Sequence, residues 1–473
     1  MTYTEILSKV AKAIDALIHA GDRHEGLFPS LLDLNTHEML DYVPDCIPGQ
    51  RRGDRCHFGS NLIHDTPTLG VMYALSASSN SPEYAEAADR YLRRFATHCT
   101  DTVTGLFPWG EHAYWHLLED KIGNSSRFHD PNSANPAIHD HLRQAPAWLW
   151  EKLYEFNPRC VERFAEGLDY HWRLDPPEYS RHGEIEVKQR PDDYGGACSF
   201  DFARHGGFYI QDWTFAYVKT GRQDFLRQIH KMLDYWWPVR YSDGLLPYCK
   251  RCTEHVLAFY QVHACAQTMG HAASLWDSAN MLQEKYPALA ATMRERAAAY
   301  VNAFIEAPHD PENGVVYIAH KPGDPERDVL TSIWGSVYGV LPAAFLASLC
   351  LHTYRIIQDP RFLRWAEAVG AFYLKEPPPA DVAVPSNDAG LALGLVADLY
   401  DLTGDSGWLK GGVKLAETLM DVYLDTDIPR GAAGIDWYES QMGPGFLLHG
   451  LARIALLAQD TINCPLEADY TSR

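Results

Sequence analysis

The chain has 473 residues, with 41 Lys and Arg against 62 Asp and Glu, giving a formal charge of −21. Such acidity excludes nucleic acid as a primary partner, because phosphate binding needs clustered basic side chains. A hydrophobic content of 46% is enough for a core, and the length suits either about three domains of ~150 residues or one large helical barrel over 1–473, which is the expectation here.

In chain order, the first 23 residues read as an amphipathic helix with Glu5, Lys9, Lys12 and Asp15 in its early turns. They lack the uninterrupted apolar run of a secretory signal, so a cytoplasmic location is expected. Apolar residues at three-to-four spacing then predict helices over Leu62–Leu75, Tyr84–Phe95, Ala147–Phe156, Val161–Trp172, Tyr209–Val218, Phe225–Trp236, Val256–Trp276, Met293–Phe304, Ile333–Ile356, Phe362–Tyr373, Ala389–Leu399, Trp408–Leu424 and Gly445–Leu457. The uncharged stretch Val329–Tyr354 is long enough to span a bilayer, but Thr331, Ser332, Gly335, Ser336, Gly339 and Pro342 break its apolar character. It reads as a buried helix, and no membrane partner is expected. No strand pattern is convincing, although Gly314–Ile318 could form a small hairpin.

A weak repeat runs through the helices. A polar turn is followed by a helix opening on an aromatic residue, at Tyr84, Phe225, Phe362 and Trp408. Helix pairs cannot bury their apolar faces singly and must stack. The expected fold is therefore all-α, an (α/α) toroid of six to seven helical hairpins; an open solenoid is the alternative. The irregular segments Thr36–Gly59, Gly110–His141, Leu174–His205, Ser242–His255, Pro308–Asp328 and Glu376–Asn387 are too long for passive connections. They would crowd one mouth of the ring and build a site there.

Ten cysteines are scattered along the chain. Buried or surface thiols in a reducing compartment account for them. Cys249 and Cys252 form one CxxC, without the second ligand pair that a structural zinc site would show.

Four constellations could carry chemistry. They are Gly105–His112 with Trp109 and His112 in a turn, His139-Asp140-His141 with Arg143, Arg181-His182-Gly183, and Phe200–Gly207 with Arg204-His205, leading to Tyr209 and Trp213. Imidazoles and a carboxylate from separate loops can assemble a divalent-metal site, and a nearby Arg can grip a carboxylate with two prongs. An Arg/Tyr-rich loop with Arg240, Tyr241, Tyr248 and Arg251 could bind an anionic sugar. Plainer roles exist for each residue. His112 could cap a loop, Asp140 could cap the following helix, and Tyr209 and Trp213 could be core. Asn387-Asp388 is expected to cap the helix near Ala389.

Over roughly residues 60–225 the order of these motifs resembles polysaccharide lyase family 2, the pectate lyases among the helical-toroid uronate lyases. That family's Gly-Leu then Trp-Gly-Gly-His segment is matched by Gly105-Leu106 and Trp109-Gly110-Glu111-His112. Its His-Glu pair with a basic residue is matched by His139-Asp140 and Arg143, and its Arg-His-Gly occurs twice, at Arg181 and Arg204. The resemblance implies a divalent metal, Mn2+ or similar, held by His112, Asp140 and a histidine such as His182. It implies an Arg of the pair, Arg181 or Arg204, as Brønsted base. Glu111 and the shorter Asp140 depart from the pattern, and related helical-barrel lyases work without metal through Tyr, His, Arg and Asn. Physical chemistry alone favours a His or Tyr as base and Arg as carboxylate clamp, because the guanidinium pKa exceeds ~12.

The expected activity is β-elimination on uronate-containing glycans, galacturonate first, with Arg181, Arg204, His205 and Tyr209 catalytic. Trp109, Arg143, Tyr248 and Arg251 would contact the acidic oligosaccharide or polysaccharide. A glycoside hydrolase with two facing carboxylates, drawn from Asp140, Asp201, Asp212 and Asp388, is the alternative. An inert carbohydrate-binding scaffold is a third reading.

Overall fold

Thr2 starts the first helix with a reciprocal cap: its hydroxyl accepts from the Glu5 amide at 3.3 Å, while Glu5 Oε2 accepts from the Thr2 amide at 2.7 Å. From there the computed structural model describes residues 2–469 apart from 80, 142, 173–177, 188–199, 251–258, 336–340 and 461. The helices are α1 Tyr3–Asp22, α2 Leu62–Ser79, α3 Glu83–Arg94, α4 Ser125–His129, α5 Ala147–Phe156, α6 Pro158–Gly167, α7 Ala203–Thr220 and α8 Gln223–Trp236. They continue with α9 Cys265–Leu282, α10 Pro287–Ile305, α11 Ala343–Ile357, α12 Pro360–Lys375, α13 Ser386–Thr403, α14 Ser406–Tyr423 and α15 Pro444–Gln459.

Six of them, α2, α7, α9, α11, α13 and α15, are buried around most of their circumference. The amphipathic helices α1, α3, α6, α8, α10, α12 and α14 pack outside them, each burying one stripe. Around the ring, α7 packs on α9, α9 on α11, α11 on α13, α13 on α15, and α15 on α2. The shorter α5, with α3 and α6, closes the arc from α2 back to α7. The fold is an (α/α) toroid, with one continuous apolar core running from α1 to α15.

The aromatic repeat marks the outer helices. Tyr84, Phe225, Phe362 and Trp408 lie in the opening turns of α3, α8, α12 and α14, each after an inner helix. Where α7 ends, Gly221 takes φ +70°, a left-handed C-terminal cap that glycine adopts without steric cost. Asp359 and Asp405 cap α12 and α14, accepting from the amides of Arg361 and Gly407 at 2.9 and 2.8 Å.

Two expected helices start late. Of the one predicted over Val256–Trp276, residues 256–258 lie outside the described residues, and α9 starts at Cys265 because the stretch before it is extended, with His263 bridged to Pro247 and His320. Of the one predicted over Ile333–Ile356, residues 336–340 lie outside the described residues, and α11 starts at Ala343 directly after Pro342, whose ring suits the edge of a helix and not its interior. The described part of the long apolar stretch thus contains a short strand and the start of a buried helix, and no helix among the described residues is long and apolar enough to cross a membrane.

Among the described residues, nine short strands escaped the sequence pattern, apart from the piece near Ile318. They are β1 Leu31–Asp33, β2 Gly59–Ser60, β3 Ala113–His116, β4 Lys121–Asn124, β5 Ile138–Asp140, β6 His182–Glu184, β7 Val316–Ala319, β8 Val329–Thr331 and β9 Trp437–Glu439. All pair antiparallel, as β1–β9, β2–β3–β4, β5–β6 and β7–β8.

Candidate functional site

The pairing of β5 with β6 sets Asp140 directly opposite His182. Across this ladder His182 Nε2 stands 3.4 Å from Asp140 Oδ2. The Trp109–His112 turn lies against the same strand. Gly110, at φ +100°, lets it do so, since a Cβ there would sit 1.9 Å from the Asp140 carbonyl oxygen. Asn61, just before α2, holds the turn by donating to the Gly110 carbonyl at 2.8 Å. His112 Nε2 thereby reaches 3.8 Å from Asp140 Oδ2, and the His112 and His182 rings meet edge to face at 4.9 Å.

The Asp140 carboxylate is wholly buried and accepts no well-formed hydrogen bond among the described residues. Burial opposes its ionisation, but the Arg181 guanidinium, 3.7 Å away, and then His182 hold its pKa well below the usual carboxylate range. Burial, then Arg181, depresses His182 to about 4, leaving a neutral ring able to coordinate. Two imidazoles and an ionised carboxylate therefore converge at distances too long for good hydrogen bonds and suited to a shared ion. The residues present fit a divalent metal.

Three residues that sequence reasoning missed complete the surround. Glu111 Oε2 lies 4.0 Å from His112 Nε2, and Asp54 Oδ1 lies 3.5 Å from His112 Nδ1. Arg51 bridges the two acids, at 2.6 Å to Asp54 and 3.1 Å to Glu111. Burial, then the Glu111 charge, raises Asp54 to about 6. Only the Glu in place of Gly at position 111 signalled any of this in the sequence.

Beside the cluster opens a cavity of about 380 Å³, at the end of the ring where α7, α9 and α11 begin. Arg51, Arg181 and Arg204 contribute cations, Phe200, Phe202, Tyr248 and Phe259 contribute aromatic rings, and His205 lies at the wall. Arg181 sits 5.1 Å over the Phe202 ring, and Tyr248 stacks on Phe259 at 4.6 Å. Arg204 has Nε and Nη1 buried with no hydrogen-bond partner among the described residues, and the same holds for both ring nitrogens of His205. Burial holds His205 well below the ordinary imidazole range, so it is neutral.

Of the residues singled out in the sequence, His112, Asp140 and His182 thus form one cluster, and Arg181, Arg204, His205 and Tyr248 line the cavity beside it. Tyr209 is wholly buried behind them: its hydroxyl donates to the Arg181 carbonyl at 2.8 Å and contacts His171 Nδ1 at 3.1 Å, so it positions the loop and does not line the cavity. Trp109 is also fully buried, packed among Phe107, Trp150, Phe164 and His141, and belongs to the core and not to a sugar platform. Arg143 is likewise away from the cavity, wholly buried with its guanidinium donating to the Ile63 carbonyl and facing Asp469 at 3.8 Å. Arg251 lies outside the described residues. Asp388 does not cap α13; it lies in the first turn, behind Pro385.

No protein-family model and no curated protein matches the chain in sequence. Among solved structures it is similar to the unsaturated glucuronyl hydrolase of Bacillus sp. GL1, at 12% identity and a TM-score of 0.46 over 95% of this chain and 96% of that one. It is also similar to a D-mannose isomerase, at 10% identity and 0.47 over 95% and 97%. A sugar epimerase from a ruminal bacterium gives 11% identity and 0.47 over 96% and 99%. At these identities and scores the likeness carries no functional argument.

Proposed function

We propose that the protein is a lyase that cleaves uronate-containing oligosaccharides by β-elimination. The observation that carries this reading is the cluster of an ionised Asp140 and two imidazoles beside a cavity lined by Arg181, His205 and the Arg204 guanidinium, whose Nε and Nη1 find no partner among the described residues. The proton beside a sugar carboxylate is hardly acidic while that carboxylate keeps its charge. Arg204 and Arg181 supply paired donors to neutralise it and to stabilise the enolate-like charge that develops. A divalent ion held by His112, Asp140 and His182 would add Lewis-acid neutralisation of the same group.

His205 is the best base. It is neutral, lies at the cavity wall, and has both nitrogens uncommitted. It takes the proton from the carbon next to the carboxylate. The electron pair forms the new carbon–carbon double bond, the bond to the 4-linked sugar oxygen breaks, and Tyr248 or water returns a proton to that oxygen. Phe200, Phe202 and Phe259 offer apolar faces for the rings of the sugar chain.

The test is to mix the protein with oligogalacturonates, and with glucuronate-, mannuronate- and guluronate-containing oligomers, and follow the ultraviolet band of an unsaturated uronate. A rising band, lost with chelator and restored by Mn2+, is expected. One observation favours a second reading: Glu111 and Asp140 both lie within 4.0 Å of His112 Nε2, a pair of acids near enough for glycoside hydrolysis. Reducing ends appearing without the band would replace the lyase by that hydrolase.

A further inference from the structure

On another part of the rim, three metal-type ligands meet. Asp243 follows α8, His263 precedes α9, and His320 follows β7. His263 and His320 exchange both backbone hydrogen bonds, at 2.8 and 2.9 Å, which fixes the two imidazoles side by side with ring centres 5.1 Å apart. Tyr241 stacks flat on His263 at 3.8 Å, fixing that ring further. Asp243 Oδ1 accepts from the Leu245 amide at 3.1 Å, turning Oδ2 toward both rings. Oδ2 stands 2.6 Å from His263 Nδ1 and 3.7 Å from His320 Nε2. His320 Nε2 is buried and finds no hydrogen-bond partner among the described residues.

We propose that Asp243, His263 and His320 form a second metal site, for one divalent transition-metal ion of the zinc type. Two imidazoles with one carboxylate suit such an ion, and their donor atoms already lie within 4.8 Å of one another. The orphaned His320 nitrogen is what an ion would satisfy. The imidazoles are 12% and 14% exposed and the aspartate 37%, so the protein covers one side and leaves an open coordination position toward solvent. The ion would clip the Tyr241–Gly244 turn to the paired His263 and His320 segments. This inference does not depend on the proposed lyase activity, because the two clusters share no residue.

The test uses Co2+ as probe on chelator-stripped full-length protein. His112→Gln removes the imidazole common to both clusters at the first site. That variant is expected to bind one Co2+ per chain by elemental analysis, with the visible bands of a protein-ligated ion and a raised Tm. His112→Gln with His320→Gln is expected to bind none. Asp243→Asn, a half-exposed change that leaves the backbone bridge intact, is expected to weaken Co2+ by more than the ~10–100-fold typical of losing a second-shell partner. A His112→Gln chain that binds no Co2+, or whose bound Co2+ is indifferent to both His320→Gln and Asp243→Asn, overturns the proposal.

Discussion

Arg204 is a side chain whose position works against the stability of the folded chain. Its Nε and Nη1 are buried without a partner among the described residues, and burial lowers its pKa from the usual guanidinium value. A buried donor left unsatisfied costs about 1–3 kcal/mol. Arg204→Met is therefore expected to leave Tm unchanged or raise it while abolishing turnover, and Arg204→Lys, which keeps the charge and loses the fork, to lower kcat/KM by about 10²-fold or more. A melting curve and a rate on each variant decide this; a Tm loss as large as the activity loss would give Arg204 a structural role instead. Asp388 is buried at the start of α13, and burial, only partly offset by hydrogen bonding from Asn387 and Gly335, raises its pKa to about 7. The folded state then holds a proton that the unfolded state releases near pH ~4, so stability falls as pH rises through this window and levels off above about 7. Asp388→Asn should match the wild type near pH 4 and exceed it at pH 8 by roughly 2–4 kcal/mol in denaturant titrations. Residue types and their order brought His112, Asp140 and His182 to attention. Trp109 shows what a linear reading misses: an aromatic beside a glycine turn has the same letters whether it faces sugar or Phe164, and burial is decided by parts of the chain far away.

Among the elements, the helices were legible and the strands were not. A helix of eighteen residues such as α13 repeats its apolar spacing several times. A three-residue strand such as β6 has no room to alternate, and its existence depends on β5, more than forty residues earlier in the chain. The pairing of Asp140 with His182 was accordingly invisible as a register, although both residues stood out as chemistry. The Trp109–His112 turn depends on one backbone position for its contact with β5. Gly110→Ala is expected to destabilise the fold by about 1–3 kcal/mol from the disallowed φ alone, and to push the turn off Asp140. Thermal melts should show the first effect and loss of chelator-sensitive activity the second. Retention of full activity would mean that His112 does not need this turn.

For the molecule as a whole, a ring of six to seven helical hairpins was foreseeable from the repeat, since stacked pairs need neighbours on both sides. What seals the ring's far end was not. Residues 465–469 fold back across it: Leu466 is buried, its carbonyl accepts from Arg453, and Asp469 faces the buried Arg143. Removing the residues after Asp460 should strand Arg143 without its carboxylate and cost about 3–5 kcal/mol, visible as a lower denaturant midpoint. An unchanged midpoint would make this segment ornamental. Closure also ties the two ends of the chain together. Strand β1 pairs with β9, the buried Arg55 makes a two-pronged ion pair with Glu439 at 2.7 Å, and α1 lies on α15. During synthesis, then, the first helices leave the ribosome some four hundred residues ahead of the partners they need. A nascent chain extending only to α13 is a horseshoe with an oily inner face, so production of this protein should depend on holding chaperones, and translation stalled near its end should yield aggregate in place of a working fragment.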